Sequence, residues 1–234
     1  MIRRIRVDWP DGRPFAARDG RPIRLIAASD EHEPAIQFER NRDELGPIDG
    51  IIGCGDLDPS WLAFLADSFH APLVYVLGNH DEGGDWDERR PVVPDPLPAG
   101  RIDRIAGIAI AGLEWPTTHE GGRRRRSDLA WWQAFRVAWR RWRDRLAGRS
   151  EPVLVISHVP PEGLGDASDA YHRGFGAYRW LLDRVRPPLW LHGHTTTASV
   201  KELSLQAGGT TLVNVTGIVL VELMPPAGAA SQAA

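Results

Sequence analysis

The stretch Leu73-Val74-Tyr75-Val76-Leu77-Gly78-Asn79-His80-Asp81 decides the fold. Five apolar residues in a row are too few for a helix and suit a short strand buried on both faces. The run stops in a glycine followed by an amide, an imidazole and a carboxylate. The same pattern recurs along the chain. Ile23–Ser29 runs into Asp30-Glu31-His32, and Ile51-Ile52-Gly53 into Gly55-Asp56. Pro152–Ser157 ends at His158, and Leu189–Leu191 leads into His192-Gly193-His194. Asp30 and Asp56 are 26 residues apart, and Asp56 and Asn79 are 23. Each interval fits a strand, a crossover helix and the next strand, so the chain reads as successive β-α-β units. In open α/β sheets ligands gather outside the carboxyl ends of the strands. Five polar strand ends therefore point to one crevice.

The remaining segments fill in around this pattern. Residues 1–22 read as two short strands with turns at Asp11-Gly12 and Asp19-Gly20. Residues 33–45 read as a helix, as do residues 59–68, which carry Pro59 near the start and Asp58 as the cap. Residues 82–98, rich in Gly, Asp and Pro, read as a surface loop. Ile102–Ile105 and Ile108–Leu113 form a hairpin pattern around Ala106-Gly107. Residues 127–147 are a strong helix, residues 160–173 a loop, and residues 175–185 a helix ending before Pro187-Pro188. Residues 198–223 alternate as strands. In the long helix, Leu129, Trp132, Phe135, Trp139, Trp142 and Leu146 recur at three- and four-residue spacing. That stripe is expected to pack on the core, leaving Arg136, Arg140, Arg141, Arg143 and Arg145 as a solvated face.

Bulk properties narrow the function. The 234 residues carry a formal net charge of −3, so no global charge draws the chain to nucleic acid or anionic lipid. Residues 114–149 hold ten Arg against four acids, a local +6 that leaves −9 for the remainder. Cys54 is the only cysteine, so no intrachain disulfide forms. No long apolar run follows Met1, which reads against a signal peptide, a membrane span or a membrane partner; the cytoplasm is the expected location.

Carboxylate and imidazole donors suit divalent Mn, Fe, Zn or Ni. Glycines before Asp56 and Asn79 allow the backbone to come close to a bound ion. In order, Asp30-x-His32, Gly55-Asp56, Gly78-Asn79-His80-Asp81, lone His158 and Gly193-His194 resemble the motifs of the calcineurin-like metallophosphoesterase superfamily, from about Ile23 to Val221.

The resemblance implies a four-layer α/β/β/α sandwich of two mixed sheets flanked by helices. With no internal repeat or splitting linker, the chain reads as one domain over residues 1–224 with a helical insertion at about 114–149, and the Ala-, Gly-, Ser- and Gln-containing residues 225–234 read as a flexible tail. The resemblance also implies two divalent metal ions. Asp30 and His32 would bind the first, Asp56 would bridge both, and Asn79, His158 and His194 would bind the second. His80 would be catalytic, an acid or hydrogen-bond donor near the leaving group. The activity implied is hydrolysis of phosphate mono- or diesters, with a metal-bridging hydroxide as nucleophile. One departure stands out. The last motif expects a second histidine where this chain has Thr196. Either His192, two residues upstream of His194, or a water on Thr196 takes its place.

Other residues receive plainer readings. His70, His119 and His172 read as nonfunctional, Glu31 as solvent-facing, Asp81 as orienting its loop, and Cys54 as a small buried residue. The favoured partner is a small phosphate ester or nucleotide-like substrate. Arg123–Arg126 and the Arg-rich helix leave nucleic acid as a lesser reading, because tryptophans committed to packing cannot stack on bases. Two further functions stand beside the main one: a nuclease or cyclic-nucleotide phosphodiesterase using the same site, and a catalytically weak binding scaffold. Substrate choice would reside in loops 82–98, 114–126 and 159–173, which carry no recognisable signature.

Overall fold

Alternation along the strands sorts each side chain to one of two faces, and that sorting builds the layers. In the computed structural model, which describes residues 2–81, 85–116, 126–196 and 202–226, the strands form two sheets. The first has the order β1-β11-β2-β3-β4, from Arg3–Asp8 (β1), Gly217–Met224 (β11), Ile23–Ser29 (β2), Gly50–Cys54 (β3) and Leu73–Val76 (β4). The second has the order β5-β6-β7-β8-β10-β9. These are Ile102–Ile105 (β5), Ile108–Leu113 (β6), Val153–Ser157 (β7), Leu189–His192 (β8), Thr210–Asn214 (β10) and Ser204–Ala207 (β9). Both sheets are mixed: β2, β3 and β4 run parallel, as do β6, β7, β8 and β10, while β2 pairs antiparallel with β11 and β5 with β6.

The sheets pack face to face. Leu25, Ala27, Ile52 and Cys54 from the first meet Ile110, Leu154, Ile156, Leu189 and Leu191 from the second in one buried cluster. The intervening residues point away. Ile26 and Ile51 cover the outer face of the first sheet, where Trp61, Leu62 and Leu65 of helix α3 (Pro59–Phe69) join them. Ala109, Val155 and Trp190 cover the outer face of the second, against helices α5 (Ser127–Leu146) and α6 (Gly176–Val185). Helix, sheet, sheet, helix is the four-layer sandwich that the sequence implied. The Asp58 carboxylate accepts from the Ser60 amide at 2.7 Å and caps α3, a contact worth about 1 kcal/mol.

Four readings need correction. The second strand expected before Asp19 is a helical turn, α1 (Arg13–Ala16), because Pro14 presets the first turn and Phe15 is drawn into the core. The helix expected over 33–45 breaks into a 3-10 turn, Pro34–Gln37, and a short helix, α2 (Glu39–Asp43), with Phe38 extended between them. The loop expected over 82–98 contains a helix, α4 (Asp85–Arg89), and a 3-10 turn, Arg90–Val92.

The fourth correction concerns α5. Its buried face is Ala130, Gln133, Ala134, Val137, Arg141 and Asp144, not the aromatic stripe. Small side chains let the helix approach closely, and Gly100 sits against the Gln133 carbonyl and Arg136 with no room for a Cβ. Trp132, Phe135, Trp139, Trp142 and Leu146 are exposed instead. Arg141 is buried beside Asp144, so it does not belong to a solvated face. His119 and Arg123–Arg125 lie outside the described residues, as does the tail from 227. No helix among the described residues is long and apolar enough to cross a membrane.

Leu191 is fully buried between the sheets. Leu191→Ala should cost about 2–5 kcal/mol, seen as a lower urea midpoint with an unchanged denaturant slope.

Candidate metal centre

Three of the five polar strand ends are held by a sharp backbone turn. Asp30 follows β2, Asp56 follows β3, and His194 follows β8, all with left-handed φ of 60°, 54° and 66°. Non-glycine residues seldom adopt this conformation, and each instance costs about 1–3 kcal/mol. The turns are fixed by hydrogen bonds between strand ends. Asp81 Oδ2 accepts from the amides of Asp56 at 2.6 Å and Gly78 at 2.7 Å, tying the end of β3 to the end of β4. Asp30 Oδ2 accepts from the His194 amide at 2.9 Å, tying the first sheet to the second. A Cβ on Gly78 would run into the Asp56 carboxylate, and one on Gly193 into Ser29 and Asp30.

Four donor atoms meet at the base of this crevice. His158 Nε2 lies 3.3 Å from Asp56 Oδ2, 2.9 Å from Asn79 Oδ1 and 3.1 Å from His194 Nδ1. Asp30, Asp56 and His158 each place a donor atom within 4.8 Å of the other two. The other ring nitrogens are committed elsewhere. His158 Nδ1 donates to the Cys54 carbonyl at 2.9 Å, and His194 Nε2 to the Tyr171 carbonyl at 2.9 Å. Such partners set the tautomer and aim the remaining nitrogen at a metal.

The family model for calcineurin-like phosphoesterases matches residues 23–197. The chain belongs to the calcineurin-like phosphoesterase family. Among solved structures, TT1561 of Thermus thermophilus is 16% identical, with a TM-score of 0.57 over 84% of this chain and 90% of that one. A Vps29 single mutant from Entamoeba histolytica is 14% identical, with a TM-score of 0.38 over 83% of this chain and 74% of that one. Thermus thermophilus sulfate thiohydrolase SoxB, in complex with glycerol, is 15% identical, with a TM-score of 0.40 over 81% of this chain and 41% of that one. No curated protein is significantly similar in sequence. The likeness to TT1561 is one of fold.

The electrostatics of this phosphoesterase-family site suit a cation. Burial pulls the His158 pKa down, but the Asp56 carboxylate beside it, aided by Asp30, outweighs this and pushes it up to about 9. Burial, with the neighbouring His158 charge, pushes His194 down to about 3, so its Nδ1 lone pair is available. Burial, with the Asp56 charge, pushes Asp81 up to about 7. A carboxylate-rich pocket thus holds a proton on His158 where a divalent ion would put its own charge.

The sequence-derived residues fall into two groups. Asp30, Asp56, Asn79, His158 and His194 come together. His80 lies at the rim, its Nε2 4.0 Å from Asp56 Oδ2 and its amide donating to Asp56 Oδ1 at 2.8 Å. His32 is exposed and stacked on Trp61, with ring centroids 4.5 Å apart, and is not in the mutual group of donors. His192 is buried on the helix side of its sheet, following Trp190 by two residues. Its Nδ1 contacts the Gly193 carbonyl at 3.1 Å, and its Nε2 faces Gly165. The two-residue relation to His194 does not carry over, because His194 leaves the strand in its left-handed turn. Thr196 is exposed.

Tyr171 was not singled out from the sequence. Its hydroxyl accepts from Asn79 Nδ2 at 2.8 Å and lies 3.3 Å from His80 Nε2. The first contact turns Asn79 Oδ1 toward His158. Tyr171 sits in an irregular loop, where no periodicity marks it. Only the amide's need for an orienting partner pointed to such a residue.

Two outcomes are expected. Metal uptake at neutral pH should release about one proton, from His158, and apparent affinity should rise about tenfold per pH unit up to about pH 9. Titration calorimetry in buffers of different ionisation enthalpy measures both. Tyr171→Phe keeps the carbonyl to His194 but removes the hydroxyl, so metal affinity should fall about tenfold by the same titration.

Proposed function

We propose that the chain is a divalent-metal-dependent hydrolase of phosphate mono- or diesters. The observation that carries this is the convergence of Asp56, Asn79 and His194 on His158 Nε2, with Asp30 alongside. One proton on one ring nitrogen can serve only one of those three lone-pair donors well. A single cation serves all of them, so the residues fit a metal.

Asn79, His158 and His194 would hold one ion, Asp30 and His32 a second, with Asp56 shared between them. For His32 to take part, its ring must leave the face of Trp61. Bound divalent ions would supply activation of water at neutral pH and neutralisation of charge developing on the phosphoryl oxygens.

The chain's own groups do the rest. Asp30 and Asp56 set the charge and position of the centre. Cys54 and Tyr171 carbonyls hold the two imidazoles in their ligating tautomers. His80, 47% exposed on its side chain, stands at the mouth within reach of Tyr171. It would donate to the departing ester oxygen, a contribution of about 10²–10⁴ in rate. The polar, half-exposed setting of His80 suits a small, charged phosphate ester. His192, buried away from the donors, would support the loop at Gly165, and we do not assign it as a ligand.

Metal content and turnover test the reading. After loading with Mn, Ni, Fe or Zn, the protein should hydrolyse p-nitrophenyl phosphate or its bis-ester. Asp56→Ala should lose both metal and turnover. His80→Ala should keep metal and lose about 10²-fold or more in kcat. Asp56→Ala with full metal and wild-type rates would sink the proposal. No metal and no turnover in the wild type would mean a binding scaffold.

A further inference from the structure

Helix α5 turns its bulk toward solvent. Trp131, Trp132, Phe135, Trp139, Trp142 and Leu146 form a continuous outward stripe, each 46–69% exposed. Aromatic side chains present about 150–250 Å² each, so half-exposure of five of them plus Leu146 leaves on the order of 600 Å² of apolar surface. That matches the largest patches monomers tolerate, about 300–600 Å². Two such faces pressed together bury about 1,200 Å², the lower bound of specific interfaces.

The stripe is close to a palindrome. Counted from Val137, Phe135 and Trp139 lie two residues to either side, Trp132 and Trp142 five, and Asp128 and Leu146 nine. A two-fold axis through the middle of the helix therefore sets like against like in the apolar part. At the amino end of this face Asp128 is paired with Arg126 at 2.6 Å, and Arg143 and Arg145 lie at the carboxyl end. An antiparallel pair opposes the helix dipoles and keeps Arg143 and Arg145 of the two copies at opposite ends of the interface. A parallel pair would stack arginine on arginine. Arg140 is held by Asp144 at 3.2 Å and stays on the rim.

The rings have neighbours along the helix. The Arg136 guanidinium lies over Trp132 at 4.3 Å, and Trp139 lies 4.9 Å from Trp142 and 6.3 Å from Phe135. A base stacking on Trp132 at that position would have to displace the Arg136 guanidinium. Beside the stripe, between α5 and α6, runs a groove of about 430 Å³ bordered by Ala138, Trp142, Arg145 and Trp180. It can receive an aromatic side chain from a facing copy.

We propose that this face pairs with the same face of a second copy of the chain, antiparallel, in a two-fold homodimer. Aromatic anchors with arginine at the rim are the composition of interface hot spots.

Sedimentation velocity over nanomolar to micromolar concentrations should find a dimer. Trp139→Arg should weaken it by about 100-fold or more, since each two-fold interface contains the change twice, with circular dichroism and melting unchanged. Should that variant misfold, cysteine cross-linking decides. Cys54, the native cysteine, is buried. Asp128→Cys mixed with Arg145→Cys should form a disulfide-linked pair, while Asp128→Cys alone should not. A wild type that stays monomeric, a dimer indifferent to Trp139→Arg, or self-linking of Asp128→Cys would overturn the proposal. So would binding of anionic vesicles or single-stranded DNA through this face by a chain that never dimerises.

Discussion

The contact between Asp56 and His158 organises this molecule. One partner ends a strand of the first sheet and the other a strand of the second, 3.3 Å apart and 102 residues apart in sequence. A buried imidazole beside a carboxylate costs desolvation that an isolated pair seldom recovers. Here the pair is embedded. Asp56 Oδ1 accepts from the His80 amide, and His158 Nδ1 donates to the Cys54 carbonyl. The contact also requires both sheets to end at the same level, because a shift of either by one residue would reverse every side chain along it. The registers of β2 with β3 and of β7 with β8 are thus bound to the site as much as to the core.

The backbone around this contact carries strain that the interior alone would not select. Three non-glycine residues take left-handed turns, and each turn redirects a side chain out of a strand and into the crevice. Asp81 offsets part of that cost by gathering the Asp56 and Gly78 amides onto one oxygen. Glycine appears where two backbones must nearly touch: Gly55 lies against Gly78 and His158, with no room for a side chain on either glycine. The sequence motifs and the strain are therefore one fact. A donor residue is preceded by glycine because the chain must turn there against a neighbour.

Much of this was legible in the sequence because it repeats. Apolar runs closing in Asp30, Asp56, Asn79, His158 and His194 marked both the strands and the crevice, and the structure brings all five together. What was not legible depended on relations that no local pattern records. His192 was read by the two-residue period of a strand, yet the strand stops at His192 and His194 belongs to the turn. Tyr171 lies in a loop whose path is set by what it packs on. Helix α5 was assigned the wrong buried face because its largest hydrophobic residues dominate any periodic reading. The competing register, Ala130, Ala134 and Val137, was present but weak, since alanine carries little hydrophobicity of its own.

The misreading of α5 and the convergence of the polar strand ends come from the same physics. Close approach selects small side chains, whether glycines between two loops of the crevice or alanines between a helix and a sheet. Once the inner face of α5 is given to Ala130 and Ala134, its tryptophans have nowhere to go but outward. Burying them within one chain would need a wider gap between α5 and the second sheet, and that gap would open the core around Trp115. The Trp115 ring packs edge-on to His158 and lies 5.5 Å from the His194 ring. Trp115 shares its buried cluster with Ala130, Ala134 and Val137 on the inner face of α5. The exposed aromatic stripe is then a consequence of how closely α5 packs on the second sheet, and a surface of that size calls for a covering partner.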